Sequence, residues 1–227
     1  MTHRGLSMEA VSFFPSHRDA ATPILDRVTA HFEKGGAVLV EGAVGAGKST
    51  MIHLLAGLLR PTMGIVRADG QPVSKFTAPH RDRWRATVGI VFQHLELMAE
   101  RTALENVLLP LLPRSLPHTE KVASANRLLG RLSLSALAAS PVSALSGGER
   151  QKTAIARALI IEPAFLLADE PTAHLDDDGT AAFLSLASAC ADRGGTVVVV
   201  SHDPRLVESD VFHRRCRLVA GALESDT

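Results

Sequence analysis

Two glycine-rich segments of this chain combine residue types that are suited to holding phosphate. The first, residues 42–49, fits the pattern G-x-x-x-x-G-K-[ST] between an apolar run at residues 37–41 and a helical pattern. Its glycines let the backbone curl so that N–H groups point at a phosphate, Lys48 neutralises the β- and γ-phosphates, and the Ser49 hydroxyl ligates Mg²⁺. The pattern predicts residues that contact ATP: Gly42, Ala43, Val44, Gly45, Ala46, Gly47, Lys48, Ser49 and Thr50.

The second segment, residues 145–151 with the sequence LSGGERQ, lies far downstream of the first. We expect Ser146, Gly147 and Gly148 to present backbone N–H groups at the start of a helix, where unpaired donors and the helix dipole attract anions. Ser146 and Glu149 also match a capping box, which fixes the start of the helix. Two such segments in one small chain indicate that one ATP is bound between two subunits, with one segment from each.

A pair of carboxylates, Asp169 and Glu170, directly follows an apolar run at residues 165–168. Adjacent residues that leave a strand point in different directions, so the two can have different roles. Asp169 is suited to hold Mg²⁺, directly or through water, and Glu170 to accept a proton from the attacking water or to orient it. The alternative is a solvated acidic turn, which the phosphate-binding pattern upstream makes the weaker interpretation.

Gln93 and His202 follow apolar runs at residues 88–92 and 196–200. Ligands of parallel sheets bind at the carboxyl ends of the strands. Because both residues lie at such ends, both are candidates to contact the ligand. We expect the Gln93 amide to reach Mg²⁺ or the attacking water, and the His202 imidazole to hydrogen-bond the γ-phosphate. Without that position, either residue would be interpreted as structural or solvent-exposed.

The same apolar runs predict the frame that positions these residues. Continuous apolar strands that alternate with helices indicate a parallel sheet covered on both faces. A helix is expected at residues 50–59, ended by Pro61 and Gly64. Residues 95–161 have no strand-like run and predict a helical insertion that four prolines interrupt: Pro110, Pro113, Pro117 and Pro141.

Composition narrows the class of protein. The 227 residues are 46% hydrophobic, which supports a substantial core. Equal numbers of basic and acidic residues, 24 of each, give no attraction to nucleic acid, and no nucleic-acid partner is expected.

Cys190 and Cys216 are too few for a disulfide framework and predict reduced thiols in a cytoplasmic protein. The start of the chain lacks the apolar run of a signal peptide, and no run approaches the length of about 20 residues that spans a bilayer.

Taken in order, these segments resemble the nucleotide-binding subunit of ATP-binding-cassette (ABC) systems, over about residues 11–223. The resemblance implies one domain over residues 1–227, with the α/β fold of P-loop NTPases: a mainly parallel sheet, an N-terminal antiparallel β part and an inserted helical subdomain at about 95–161. It implies that Gln93 couples the nucleotide site to a membrane partner and that His202 is the switch histidine. Residues 173–176 resemble the D-loop, in which Asp176 helps to shape the opposite site.

The resemblance also implies a homodimeric, Mg²⁺-dependent ATPase. Two chains would face head to tail and sandwich two ATP molecules, each between one phosphate-binding loop and the other chain's signature segment, residues 145–151. Transmembrane permease subunits would be its partners and would hold it at the cytoplasmic face of the cell membrane. The sequences at residues 91–107 and 167–172 look like the branch that serves lipoprotein release, macrolide efflux and cell division.

The chain departs from the family pattern at three points. It has no tyrosine, which usually stacks on adenine near the N-terminus; Phe14 is the best substitute and Phe13 the next, although either phenylalanine would equally suit the core. Lys152 stands where the signature helix usually has arginine, and it lacks the bidentate fork. His174 stands where a smaller or amide residue is common.

Three other functions stay open at this point. A soluble ABC ATPase of DNA repair or translation usually carries coiled-coil inserts or paired cassettes. A small-molecule P-loop kinase has no use for the signature segment. A regulatory module that binds nucleotide without hydrolysing it would not need the set Lys48, Asp169, Glu170 and His202.

Overall fold

Two sheets and a set of helices build the part of the chain that the structure, a computed structural model, describes: residues 4–15 and 22–225. Residues 1–3, part of the start at which no signal peptide is expected, lie outside it. The elements in chain order are β1 Gly5–Phe13, β2 Leu25–Glu33, β3 Ala37–Glu41, α1 Lys48–Leu55, β4 Met63–Ala68, α2 Ala78–Arg85, β5 Val88–Val91, α3 Ala103–Leu108, α4 His118–Arg131, α5 Gly147–Leu159, β6 Phe165–Asp169, α6 Asp177–Asp192, β7 Thr196–Val200, α7 Pro204–Val207, β8 Arg214–Val219 and β9 Ala222–Ser225.

The larger sheet has the strand order β5-β6-β7-β3-β8-β9. All neighbouring pairs are parallel except β8 and β9, which are antiparallel. Residues along β3 alternate between two buried faces, with Val38 and Val40 in one core cluster and Leu39 in the other. Burial on both faces explains why the four predicted strands are continuously apolar, and it confirms the predicted parallel sheet.

The smaller sheet is antiparallel, with the order β2-β1-β4. Leu6 and Phe32 of this sheet pack in one core cluster with Met51 and Leu55 of α1 and with Val200 of the larger sheet. Helix α1 is therefore enclosed between the two sheets. This is the N-terminal antiparallel part that the family resemblance implied.

Helices fill the segment between β5 and β6, and the described structure has no strand there. Val107 of α3, Leu129 of α4 and Ile155 of α5 are fully buried in one cluster with Leu166 and Val199 of the larger sheet. The predicted helical insertion is thus present and is packed onto the sheet. None of the helices in the described ranges is both long and apolar enough to cross a membrane.

Helix α1 ends earlier than the sequence pattern predicted. It spans Lys48–Leu55 rather than residues 50–59. Gly57 has a φ of 66°, and the N–H of Leu58 donates to the His53 carbonyl. This arrangement is a Schellman motif, which ends a helix at a glycine with positive φ. The proline and glycine that were expected to end the helix lie beyond this turn.

Candidate active site

A cavity of about 390 Å³ at the carboxyl ends of β3, β6 and β7 gathers most of the residues that the sequence singled out. Its position agrees with the rule that parallel sheets bind ligands at this edge. Ile24 lines it although no sequence pattern indicated this residue. The other lining residues are Ala43, Val44, Gly45, Gly47, Lys48, Ser49, Thr50, Gln93, Asp169, Glu170 and His202.

The loop between β3 and α1 curls because two of its glycines adopt left-handed backbone angles. The φ angles of Gly45 and Gly47 are 83° and 103°. A Cβ atom on Gly47 would lie 3.0 Å from the Ile24 carbonyl oxygen, so the loop packs too closely for a larger residue. Gly47 caps α1 without a side-chain acceptor, which leaves the N–H groups of the first turn directed at the cavity.

The Lys48 ammonium lies inside this curl. Its Nζ atom donates to the Gly42 carbonyl at 2.7 Å and to the Ala43 carbonyl at 3.2 Å. The side chain is only 9% exposed, and Nζ lies 3.9 Å from Oε1 of Glu170. A cation held at this depth, beside a helix start, suits the charge of a nucleotide's terminal phosphates.

Asp169 and Ser49 form a pair suited to Mg²⁺. Burial raises the pKa of the Asp169 carboxyl, and the hydrogen bond from the Ser49 hydroxyl opposes that shift. The described residues contain no cluster of three or more His, Cys, Asp or Glu residues that would hold a metal alone. Mg²⁺ at nucleotide sites uses one or two protein ligands and completes its shell with phosphates and water. The donor set therefore fits a metal that arrives with the nucleotide.

Glu170 is held in one orientation by its neighbours. Ser201 Oγ donates to Oε2 at 2.7 Å, and the Glu170 N–H donates to the Val200 carbonyl at 2.9 Å. The residue has a φ of 47°, a left-handed conformation that costs a non-glycine residue about 1–3 kcal/mol. Backbone strain of this kind persists where the surroundings fix a side chain, as expected for a residue that orients the attacking water.

His202 lies at the mouth of the cavity, with a side chain that is 71% exposed. Its Nδ1 atom lies 2.7 Å from Oε1 of Glu170. When Nδ1 carries the proton and donates to the carboxylate, Nε2 of the neutral ring accepts, and Nε2 donates only when the ring is doubly protonated. While Nδ1 donates to Glu170, only the doubly protonated ring of His202 can therefore donate from Nε2 to a phosphate oxygen.

The signature segment has the predicted capping box at the start of α5. The Ser146 N–H donates to Oε2 of Glu149 at 2.7 Å, and the Glu149 N–H donates to Ser146 Oγ at 3.3 Å. These hydrogen bonds lower the pKa of the Glu149 carboxyl. Ser146, Gly147 and Gly148 do not line the cavity of their own chain. The two predicted phosphate-binding elements are therefore separate within one protomer.

The D-loop runs beside the signature segment. A Cβ atom on Gly148 would lie 2.8 Å from the His174 carbonyl oxygen, so this glycine allows the close approach. Asp176 caps α6, since its carboxylate accepts from the Gly179 N–H at 2.8 Å. It also lies 3.9 Å from Nζ of Lys152. Asp176 thus has partners in its own chain, and its side chain is 70% exposed.

The two phenylalanines near the N-terminus have different surroundings. Phe13 packs against the core cluster between the sheets. Phe14 is half-buried, and its backbone N–H donates to Thr62 Oγ1 at 3.1 Å. Phe14 does not line the cavity, whereas Ile24, whose N–H donates to the Phe13 carbonyl, does. The packing of Phe13 leaves Phe14 as the better candidate to stack on adenine.

Sequence reasoning missed Ser201 and Ile24. Ser201 is fully buried and contacts Glu170, but the only signal in the sequence was its position between β7 and His202. Ile24 lies just before β2, and nothing near it in the sequence suggests a role. Both residues reach the site through contacts between segments that are distant in the chain.

Comparisons with known proteins agree with this geometry. Residues 25–173 match the family model described as ABC transporter. The chain is 38% identical over 205 residues to a lipoprotein-releasing system ATP-binding protein LolD of Geobacter metallireducens, covering 89% of this chain and 90% of that protein. It is 40% identical over 197 residues to a methionine import ATP-binding protein MetN of Latilactobacillus sakei, covering 86% of this chain but only 56% of that protein.

Two solved structures share the fold over nearly the whole chain. The dimeric structure of MJ0796, a bacterial ABC transporter cassette, has a TM-score of 0.90 and 31% identity, and the match covers 96% of both chains. The dimeric post-hydrolysis state of the same cassette, bound to ADP and Pi, has a TM-score of 0.91 and 30% identity, with 98% of both chains covered. The chain therefore belongs to the ABC transporter family, as an ATPase cassette that uses ATP with Mg²⁺.

Proposed function

We propose that this chain, as one ABC ATPase domain over residues 1–227, forms a homodimer that hydrolyses ATP at two shared sites and drives or gates a membrane permease. One observation carries the proposal: the cavity with Lys48, Asp169 and Glu170 does not include the signature segment of the same chain. A second chain in head-to-tail orientation would supply that segment, and one symmetry axis would complete both sites. The dimeric cassette structures support this arrangement.

The cavity residues that the sequence singled out then each have a role in hydrolysis. The loop of residues 42–50 binds the phosphates, and Lys48 neutralises their charge. Ser49, Asp169 and Gln93 would hold Mg²⁺, which would supply electrostatic stabilisation of the phosphoryl group that is transferred. Glu170 orients the attacking water and accepts its proton, while His202 positions Glu170 and contacts the γ-phosphate.

Residues outside the cavity act on the nucleotide from two directions. Phe14 stacks on the adenine of the ATP bound by its own chain. Ser146, Gly147 and Gly148 bind the γ-phosphate that the other chain holds, and Asp176 shapes that same opposite site. Because the γ-phosphate contacts both chains, ATP favours the closed dimer and hydrolysis releases it.

The membrane partner has a candidate docking surface in a second cavity, of about 610 Å³, between the larger sheet and the helical segment. Phe92, the neighbour of Gln93, and Arg157 of α5 both line it. Arg157 donates to the carbonyls of Leu95 and Glu96 at 2.7 and 2.5 Å, which ties α5 to the segment after Gln93. A permease segment in this groove would therefore contact α5, which carries the signature segment, and Phe92, the residue before Gln93 of the nucleotide site.

Among the branches of the family, lipoprotein release and related force-transmitting systems fit best. The match to the LolD protein covers 90% of that protein, whereas the match to the MetN protein covers 56%. We propose a location at the cytoplasmic face of the cell membrane, reached through the permease. We expect the permease, and not this chain, to determine which cargo is moved.

Dimerisation of a Glu170→Gln variant tests the proposal, because the variant binds ATP but lacks the carboxylate that activates water. Light scattering should show a dimer with ATP and Mg²⁺ and a monomer with ADP. A variant that stays monomeric with ATP contradicts the sandwich dimer. Hydrolysis by the variant should also fall by about 10²–10⁴-fold.

Recovery of the permease from native membranes tests the docking surface. Arg85 lines the groove, so Arg85→Glu should reduce the amount of permease that co-purifies with the tagged chain. Arg27, which lies on β2 and does not line the groove, provides the control as Arg27→Glu. Equal recovery with both variants contradicts docking at this groove.

A further inference from the structure

We infer that Arg205 is a positioning residue, which ties the D-loop to the loop that carries His202 and so links the dimer surface to the catalytic carboxylate. The inference rests on the proposed dimer, since the D-loop acts on the opposite site only there. Arg205 lies in α7, just after Asp203, and no sequence pattern singled it out.

The Arg205 guanidinium forms a bidentate ion pair with the Asp203 carboxylate. Nε lies 3.0 Å from Oδ1, and Nη2 donates to Oδ2 at 2.7 Å. The Asp203 side chain is 13% exposed, so water competes little with the pair. The fork holds the pKa of Asp203 at about 2, below its ordinary value. Bidentate pairs of this kind fix geometry as well as charge.

The same guanidinium also holds the D-loop from the other side. Nη1 donates to the Leu175 carbonyl at 3.1 Å and to Oδ1 of Asp177 at 3.0 Å. Nη2 donates to the Thr172 carbonyl at 3.4 Å. The hydroxyl of Thr172, a buried residue, donates to Oδ2 of Asp203 at 2.6 Å. Arg205 therefore contacts both ends of the D-loop and the residue that follows His202.

A continuous series of hydrogen bonds leads from this cluster to the active site. The Asp203 N–H donates to Ser201 Oγ at 3.1 Å, and Ser201 Oγ donates to Oε2 of Glu170 at 2.7 Å. Each donor and acceptor along the path is fixed by a short contact. A displacement of the D-loop would therefore be passed to the carboxylate that orients water.

A purely local role does not account for these contacts. Asp203 caps α7 by accepting from the Arg205 N–H at 3.0 Å, and that cap uses only the backbone of Arg205. The side chain instead reaches residues about thirty positions earlier in the chain, Thr172 and Leu175. Lysine offers a single point charge and cannot replace the planar fork that bridges these partners.

Substitution of Arg205 tests the inference against a matched arginine. Arg67 also combines an ion pair with a carbonyl contact: Nε lies 2.8 Å from Oε1 of Glu9, and Nη1 donates to the Gly70 carbonyl at 3.2 Å. It lies in β4, outside the cavity, so Arg67→Gln controls for the loss of an exposed ion pair. The variants Arg205→Gln and Arg205→Lys are compared with it in kcat, KM, ATP affinity and thermal midpoint.

Arg205→Gln should lower kcat by about tenfold while KM and the ATP affinity change less than twofold, since misplacement of a catalytic group acts on the chemical step. Arg205→Lys should recover only part of kcat, and Arg67→Gln should keep the wild-type value. Equal kcat in Arg205→Gln and Arg67→Gln overturns the inference. Full recovery of kcat in Arg205→Lys also overturns it, because lysine lacks the planar fork.

A second measurement separates this inference from the proposed function. With ATP and Mg²⁺, Glu170→Gln should dimerise, and the double variant Glu170→Gln/Arg205→Gln should dissociate at about tenfold higher protein concentration, because the D-loop is no longer held in place. If Glu170→Gln itself fails to dimerise, the proposed dimer is wrong. If both variants dimerise equally well, only the role of Arg205 is wrong.

Discussion

The carboxylate of Glu170 and the imidazole of His202 form one hydrogen-bonded unit, with Nδ1 2.7 Å from Oε1. The unit joins the ends of two neighbouring strands, β6 and β7, at the carboxyl edge of the sheet. Glu170 is nearly buried and His202 is mostly exposed. The residue that we propose to activate water is thus held by one at the mouth of the nucleotide cavity.

His202→Ala should lower kcat by about a hundredfold, the effect expected when a residue in an acid–base unit is removed. Binding of ATP should persist, because the loop of residues 42–50 is untouched. Steady-state hydrolysis and equilibrium nucleotide binding measure the two effects. His80, an exposed histidine whose Nδ1 atom lies 2.8 Å from Thr77 Oγ1, gives the control His80→Ala. Normal turnover in His202→Ala contradicts the assigned role.

Ser201→Ala should reduce kcat by about tenfold, since Glu170 loses the donor at Oε2 and part of its orientation. The half-buried Asp203 N–H also loses its acceptor, which should lower the free energy of unfolding by about 1 kcal/mol. Thr196 lies in the strand that precedes Ser201, and its buried hydroxyl has no hydrogen-bond partner in the described structure. The control Thr196→Val should therefore leave kcat unchanged. An equal kcat in both variants would rule out a role for Ser201 in positioning Glu170.

Gly148→Ala should impair dimer formation and hydrolysis far more than Gly147→Ala. A Cβ atom on Gly148 would lie 2.8 Å from the backbone oxygen of His174, whereas on Gly147 the nearest contact is the His174 ring at 3.4 Å. The first clash displaces the D-loop, and the second is relieved by a small movement of the ring. ATP binding by the monomer serves as the control and should be the same for both. Equal impairment by the two substitutions contradicts this account.

The Arg205–Asp203 pair should make stability depend on pH in acid. The pKa of Asp203 is about 2 in the folded chain against an ordinary value of 3.8, so the folded state favours the ionised form. Its contribution to stability is fully present above about pH 4 and is lost as the pH falls toward 2. The stability difference between wild type and Asp203→Asn, measured by urea unfolding at several pH values, should shrink over that window. A difference that stays constant from pH 5 to pH 2.5 contradicts the assignment.

Much of the fold followed from the sequence because its signals are local. Strands buried on both faces are continuously apolar, and the capping box of Ser146 and Glu149 lies within one helical turn. The end of α1 was predicted wrongly because the pattern gave weight to Pro61 and Gly64, whereas Gly57 already formed the terminating turn.

The supports of the site could not be predicted in the same way. Ser201 meets Glu170 across 31 positions of the chain, and Arg205 meets Leu175 across 30. Such contacts depend on which strands become neighbours, and no residue pattern in either segment encodes the pairing. The roles of the residues within the site stay predictions until variants are measured.

Complementation between two inactive variants tests the shared site most directly. Lys48→Ala disables the phosphate-binding loop, and Gly147→Asp places a negative charge where the other chain's γ-phosphate would bind. Each variant alone should be inactive, because every site in its homodimer contains one defect. Mixed dimers have one intact site, so an equal mixture should regain up to about a quarter of wild-type hydrolysis. A mixture as inactive as its components would contradict a site completed in trans.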